Sequence, residues 1–93
     1  LLGTPQYMPC EVLDSQPWSP RGDQYSLAVV AYELLLGRVP FDSQMLIPLL
    51  RQITMSPVPD RETINPAFPA DAYAVLVRGL SKTPEERYAS CVF

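Results

Sequence analysis

Side chains capable of chemistry are few in this 93-residue sequence, and the missing residue types narrow the field first. There is no histidine, which excludes histidine-dependent triads and the common zinc ligand sets within these residues. The two cysteines, Cys10 and Cys91, lie near opposite ends without a C-x-x-C pairing. A disulfide between them stays open, but so few cysteines make no framework, and two reduced thiols in a cytosolic chain is the better reading. Seven lysines and arginines against ten aspartates and glutamates leave a net charge of −3. That supplies no basic stripe for a phosphate backbone, so direct nucleic-acid binding is disfavoured. Ser26 and Glu33 stand out because each interrupts an apolar run and needs a partner there. No catalytic centre assembles from these types and spacings, so catalysis must come from elsewhere.

The run that Ser26 and Glu33 interrupt extends from Asp23 to Gly37 and reads as a helix apolar on almost every side. Such a helix must be buried. Asp23 is a suitable N-cap, since its carboxylate can accept from free first-turn amides, and Gly37 is a suitable left-handed C′ residue. The helix spans roughly 20 Å, too short for a bilayer, which needs about 20 apolar residues. It is expected to be the central helix of a domain. A chain of this length buries about 60–65 % of its unfolded surface, too little to cover that helix on all sides. The expectation is therefore a fragment of a larger domain. Its composition, 47 % hydrophobic and 18 % charged, is that of a globular protein. The chain opens at Leu1 with neither an initiator methionine nor a signal peptide, and no segment reads as a membrane span.

The other elements follow from eleven prolines, none of which falls between Arg21 and Val39. The first twenty residues read as loop with a short helical turn around Glu11–Leu13. Pro40 closes the exit from the central helix, and Phe41 is expected to fold back onto it. Asp42 or Ser43 could cap a second helix running to about Ile53, with Leu46, Leu49, Leu50 and Ile53 on one side. Pro48 either kinks that helix or stands at its start. A proline-stiffened connection follows from Ser56 to Pro69. A third helix runs from about Ala70 to Leu80 and buries Ala72, Val75, Leu76, Gly79 and Leu80, with Asp71 and Arg78 complementing its dipole. Thr83-Pro84-Glu85-Glu86-Arg87 looks like a cap, a first-turn proline and a turn into a last helix. No strand pattern, internal repeat or low-complexity tract is evident.

Three stretches taken in order resemble the eukaryotic-type serine/threonine protein kinase family, in a style closer to its bacterial members. They are Gly3-Thr4-Pro5-Gln6-Tyr7-Met8-Pro9-Cys10-Glu11, then Asp23-Gln24-Tyr25-Ser26-Leu27 running to Gly37-Arg38-Val39-Pro40-Phe41, then Leu80-Ser81-Lys82-Thr83-Pro84-Glu85-Glu86-Arg87-Tyr88. Together they cover essentially the whole chain. The resemblance implies a mainly α fold, the second half of the helical C-terminal lobe of a two-lobed α+β parent. Residues 1–93 would comprise the end of the activation segment, helices F, G and H, and the start of helix I.

The resemblance also implies roles. Leu1, Pro5 and Met8 would line the pocket for the substrate residue after the phosphoacceptor, and three apolar walls favour an apolar residue there. Thr4 would hydrogen-bond the catalytic aspartate and its neighbouring lysine, both outside this sequence. Glu11 looks like the glutamate of the Ala-Pro-Glu motif and Arg87 like its arginine partner in a buried, structural ion pair. The sequence departs from that motif at Pro9-Cys10, where the family has alanine and proline, although Cys10 is small enough to fill the place. Asp23 would accept from the backbone of the catalytic loop, and Val30 and Leu34 would found the apolar column that rises to the adenine ring. Glu33 resembles a glutamate that meets a basic residue upstream of the phosphoacceptor; its alternative is a structural bond, for which Tyr7 is a candidate partner.

The glycine-rich loop, the lysine–glutamate pair, the catalytic-loop aspartate with its asparagine and the magnesium-binding aspartate of the family all have no counterpart in these residues. The expected function is thus that of a parent protein transferring the ATP γ-phosphoryl group to protein serine or threonine, with ATP and Mg²⁺ bound by residues outside this sequence. The fragment itself supplies a substrate platform and scaffold and is expected to be inactive and to self-associate. The implied location is the cytoplasm, with a membrane anchor outside the sequence left open. One alternative is a pseudokinase fragment acting as a protein-binding scaffold. Another is a free-standing helical interaction module.

Overall fold

The computed structural model describes residues 5–89. The chain there runs through a 3-10 turn (Pro5–Tyr7), α1 (Cys10–Leu13), α2 (Pro20–Leu36), α3 (Leu46–Met55), α4 (Arg61–Ile64), α5 (Ala70–Gly79) and a second 3-10 turn (Pro84–Glu86). No strand occurs among the described residues, and the fold is mainly α. Leu1, Thr4 and Cys91, and any continuation into a last helix, lie outside the described residues.

Helix α2 starts earlier than Asp23. Ser19, extended at φ −141° and ψ 168°, is its N-cap and accepts from the Gly22 amide at 3.2 Å, while Pro20 occupies the first turn. Proline belongs there because its φ suits the helix and its missing N–H would have been unpaired. Asp23 therefore lies inside the first turn, where its charge still complements the dipole. The helix stops at Gly37, left-handed at φ +79°, whose amide donates to the Glu33 carbonyl at 2.9 Å.

One side of α2 carries the main core. Tyr25, Val29 and Tyr32 are completely buried against Tyr73, Leu76 and Leu80. The Tyr32 and Tyr73 rings stand 5.9 Å apart and tilted by 56°. Their hydroxyls lie 3.0 Å apart, with Tyr73 donating onward to the Pro59 carbonyl. Where α5 crosses α2, a Cβ on Gly79 would come within 3.0 Å of the Ala28 Cβ, so the glycine sets how closely the helices approach.

The opposite side of α2 is open, as expected of a helix apolar on almost every side in a chain too short to cover it. Leu34 is 81 % exposed and Leu27 52 %, and Val30 and Leu35 are exposed as well. The molecule measures 37 × 32 × 20 Å, and a thickness of about two helix diameters, each ~10 Å, leaves every helix one face on the surface.

A second core gathers Cys10, Phe41, Leu49 and Ile53, with Leu13 and Val58 packed beside it. Phe41 thus turns to α1 and α3 rather than back onto α2. The Lys82 ammonium covers its ring at 4.3 Å and donates to the Ile53 carbonyl at 2.8 Å, so the aromatic face gains a cation there. Pro48 sits in the first turn of α3, where no helical bond is lost. Neither Asp42 nor Ser43 caps that helix: Asp42 Oδ1 accepts from the Ser43 amide at 3.0 Å and Ser43 Oγ from the Met45 amide at 3.2 Å, before the helix begins. Of the four expected apolar positions on α3, Leu49 and Ile53 are buried, Leu50 is half-buried and Leu46 is exposed.

Helix α5 buries Leu76 and Gly79, and Leu80 just after it, as expected, but its face is shifted to take in Tyr73, whereas Ala72 and Val75 are exposed. The hydroxyl bonds and ring contacts of Tyr73 decide this, because alanine offers little area to bury. The Ser56–Pro69 connection also contains a helical turn, α4. Arg61 Nη1 holds it against the loop by donating to the carbonyls of Pro66 (2.6 Å) and Phe68 (3.0 Å). At the C-terminal side, Thr83 makes no side-chain cap, and Pro84 opens a 3-10 turn.

Candidate functional site

Two polar assemblies flank α2. The first joins Glu11 and Arg87, 76 positions apart. Arg87 Nη1 donates to Glu11 Oε2 at 2.7 Å and Nη2 to Oε1 at 2.9 Å, two parallel bonds between planar groups. Nε donates to the Ser81 carbonyl at 2.8 Å, Nη1 also to that of Arg21 at 3.0 Å, and the guanidinium lies 5.1 Å from the Tyr25 ring centre. The Arg87 side chain is wholly buried. Burial pushes the Glu11 carboxyl up, but the bonds and charge of Arg87 outweigh it and hold the group below its ordinary value.

The surrounding turns are fastened to α2 by contacts that carry no sequence signature. Gln24, buried in the helix, donates from Nε2 to the Tyr88 carbonyl at 2.9 Å and accepts from the Tyr88 amide at 2.8 Å. Arg21 Nη1 donates to the Pro84 carbonyl at 3.1 Å. A Cβ on Gly22 would lie 3.3 Å from Pro9 Cγ, so α2 approaches the Pro9 ring closely. Cys10 opens α1, donates from Sγ to the Lys82 carbonyl at 3.0 Å, and has its thiol pushed up by burial.

The second assembly ties the Pro5–Met8 loop to the other flank of α2. Ser26 Oγ donates to the Tyr7 carbonyl at 2.6 Å, the Tyr7 hydroxyl donates to Glu33 Oε1, and Gln6 Nε2 donates to Asp42 Oδ1 at 3.3 Å. The bond to Glu33 raises the Tyr7 phenol above its ordinary value. Both polar interruptions of the central helix thus find their partner in Tyr7. Pro5 and Met8 are half-buried in this loop. Glu33 and Asp42 share a shallow depression of about 620 Å³ with Arg38 and Gln52.

Asp23, Val30 and Leu34 are not joined to either assembly. At about 100° per residue they fall with Leu27 on one stripe of α2, opposite Tyr25, Val29 and Tyr32. All four stripe residues are exposed. Among the described residues no group of three His, Cys, Asp or Glu side chains stands close enough to hold a metal ion, and no glycine-rich loop precedes a helix. No set of side chains among the described residues forms a site for ATP or Mg²⁺.

Comparison with known proteins gives the family. The chain is 40 % identical over 90 residues to the serine/threonine-protein kinase Pkn1 of Myxococcus xanthus. It is 37 % identical over 89 residues to the serine/threonine-protein kinase PknH, and 34 % over 90 residues to PknE, both of Mycobacterium tuberculosis. These matches take in 97 %, 96 % and 97 % of the chain but only 13 %, 14 % and 16 % of the respective relatives. The family model described as protein kinase domain matches residues 1–92, and the chain belongs to that family.

Proposed function

We propose that this chain is the substrate-side part of the C-terminal lobe of a serine/threonine protein kinase. Helices α2, α3 and α5 correspond to helices F, G and H of the family. The parent protein transfers the γ-phosphoryl group of ATP to a serine or threonine of a protein substrate, with ATP and Mg²⁺ held by residues outside this sequence. Leu1, Pro5 and Met8 receive an apolar substrate residue after the phosphoacceptor, and Thr4 orients the catalytic aspartate. Glu33 has one carboxylate oxygen engaged by Tyr7 and offers the other to a basic substrate residue. The Glu11–Arg87 pair is structural and locks the segment after the substrate loop to the end of the domain.

The observation that carries this reading is the exposed stripe of Asp23, Val30 and Leu34, set on a helix whose other side is fully packed. A catalytic loop and an apolar column are the natural cover for one carboxylate in line with apolar side chains. The test compares the full-length protein with the 93-residue chain, using labelled ATP and serine or threonine peptides. The full-length protein is expected to phosphorylate them, and the chain alone to neither transfer phosphate nor bind ATP above a control protein. Phosphotransfer by the isolated chain would overturn the assignment. A full-length protein that binds partners but transfers no phosphate would instead identify a pseudokinase scaffold.

A further inference from the structure

Apart from one turn bond, from the Met8 amide to the Pro5 carbonyl at 3.0 Å, the Pro5–Met8 loop has no backbone ladder to set its height above α2. Its position depends on side chains that reach it from packed elements. Ser26 is the best placed of these. Its neighbours Tyr25 and Val29 are completely buried, so the helix backbone beneath it is immobilised.

Serine is a poor choice for a helix interior, where its hydroxyl usually returns to the carbonyl one turn back and alanine would be better by propensity alone. Here the hydroxyl leaves its own helix and bonds the Tyr7 carbonyl at 2.6 Å. Among the described residues Ser26 is the donor to that carbonyl. Helix propensity is thus given up for one contact, and that contact is to the loop backbone. The Tyr7 hydroxyl bond to Glu33 and the longer, exposed bond from Gln6 to Asp42 also reach this loop, but through its side chains and not its backbone.

We propose that Ser26 is a positioning residue that sets where the Pro5–Met8 loop presents a protein substrate, with Asp42 as its auxiliary. This rests on the kinase reading above. It touches neither ATP nor the transferred phosphoryl group, so its loss should weaken peptide binding and leave nucleotide binding alone.

The test uses the full-length protein, with peptide and ATP varied separately. Ser26→Ala is expected to raise the peptide KM about threefold to tenfold, the worth of one hydrogen bond, with kcat and the ATP KM unchanged. Ser26→Thr, which keeps the hydroxyl, is expected to restore the wild-type KM, and Asp42→Ala to give a smaller rise. Hydrogen exchange at the Tyr7 and Met8 amides should quicken in Ser26→Ala and return to wild type in Ser26→Thr. An unchanged peptide KM in Ser26→Ala, or equal shifts in kcat and the ATP KM, overturns the proposal. Should Ser26→Ala fail to fold, the exposed Asp42→Ala carries the same readouts with the same criteria. If the wild-type protein phosphorylates no peptide, the kinase reading fails, and exchange alone then decides. Faster exchange with rescue upholds the clamp, and unchanged exchange overturns it.

Discussion

Arg87 shows what a single side chain does here. All three of its nitrogens are engaged, by Glu11 and by the carbonyls of Ser81 and Arg21, with no exposed side-chain surface. Arg87→Ala leaves the Glu11 carboxylate largely buried and unpaired, at a cost of about 3–5 kcal/mol. Urea denaturation followed by circular dichroism should show that loss, and an unchanged midpoint would refute it. The same pair sets an acid limit. Because the folded carboxyl lies below its ordinary 4.5, its stabilisation is complete above that pH and drains away as pH falls through the depressed value. Denaturation midpoints should therefore drop in acid for the wild type, with a flatter profile for Glu11→Gln. Tyr25 is the counter-case: its ring is fully buried and its hydroxyl has no partner among the described residues. Tyr25→Phe removes an unsatisfied group and should leave stability unchanged or raise it by about 1 kcal/mol. A lowered midpoint would count against this. The type and order of Glu11, Ser26 and Glu33 were legible in the sequence. The pair of hydrogen bonds between Gln24 and Tyr88 was not, since a glutamine early in a helix announces no partner 64 residues away.

At the scale of elements, α2 is the strut and the others are fastened to it. Helices α1 and α4 are four residues each, far below the about 12–15 residues at which an isolated helix becomes even marginal. Contacts from elsewhere hold them: Arg87 and the second core hold α1, and Arg61 holds α4. The α2–α5 crossing depends on the absence of a side chain at Gly79. Gly79→Val should force the helices apart and cost about 1–3 kcal/mol, despite valine's better helix propensity. Thermal melts are the measure, and Ala28→Gly in the same background should recover part of the loss by clearing the opposing Cβ. A stabilised Gly79→Val would mean that the crossing is loose. Spacing gave Leu76, Gly79 and Leu80 on the buried face of α5 but missed Tyr73 and misplaced Ala72 and Val75, because a three-to-four period marks a stripe without fixing its edges. The bonds of Tyr73 to Tyr32 and Pro59 settle that.

At the scale of the whole molecule, the open stripe of α2 is the dominant feature. Leu27, Val30, Leu34 and Leu35 form an exposed apolar surface beside an apolar groove of about 320 Å³ between α2 and α5. Such a surface promotes association when nothing covers it. Sedimentation of the isolated chain should show concentration-dependent self-association, and Leu27→Lys with Leu34→Glu should shift it towards monomer. A strictly monomeric wild-type chain would argue that the stripe is tolerated in water. The chain spans only about one-seventh of the relatives it matches, and under the function proposed above the same stripe is where a catalytic loop and an apolar column would pack.

The sequence by itself determined the helical class, the left-handed stop at Gly37 and the family, because periodicity, glycine and proline chemistry and ordered motifs are local properties written along the chain. It also marked Ser26 and Glu33 as polar groups in need of partners. Only the tertiary structure decided that Ser26 bonds the Tyr7 carbonyl, that Glu33 takes its candidate partner, the Tyr7 hydroxyl, that Ser19 rather than Asp23 caps α2, and that Phe41 joins the second core. Those outcomes depend on competition between surfaces distant in sequence, where fractions of a hydrogen bond or a ring's area select one packing over another, and no local pattern records the result.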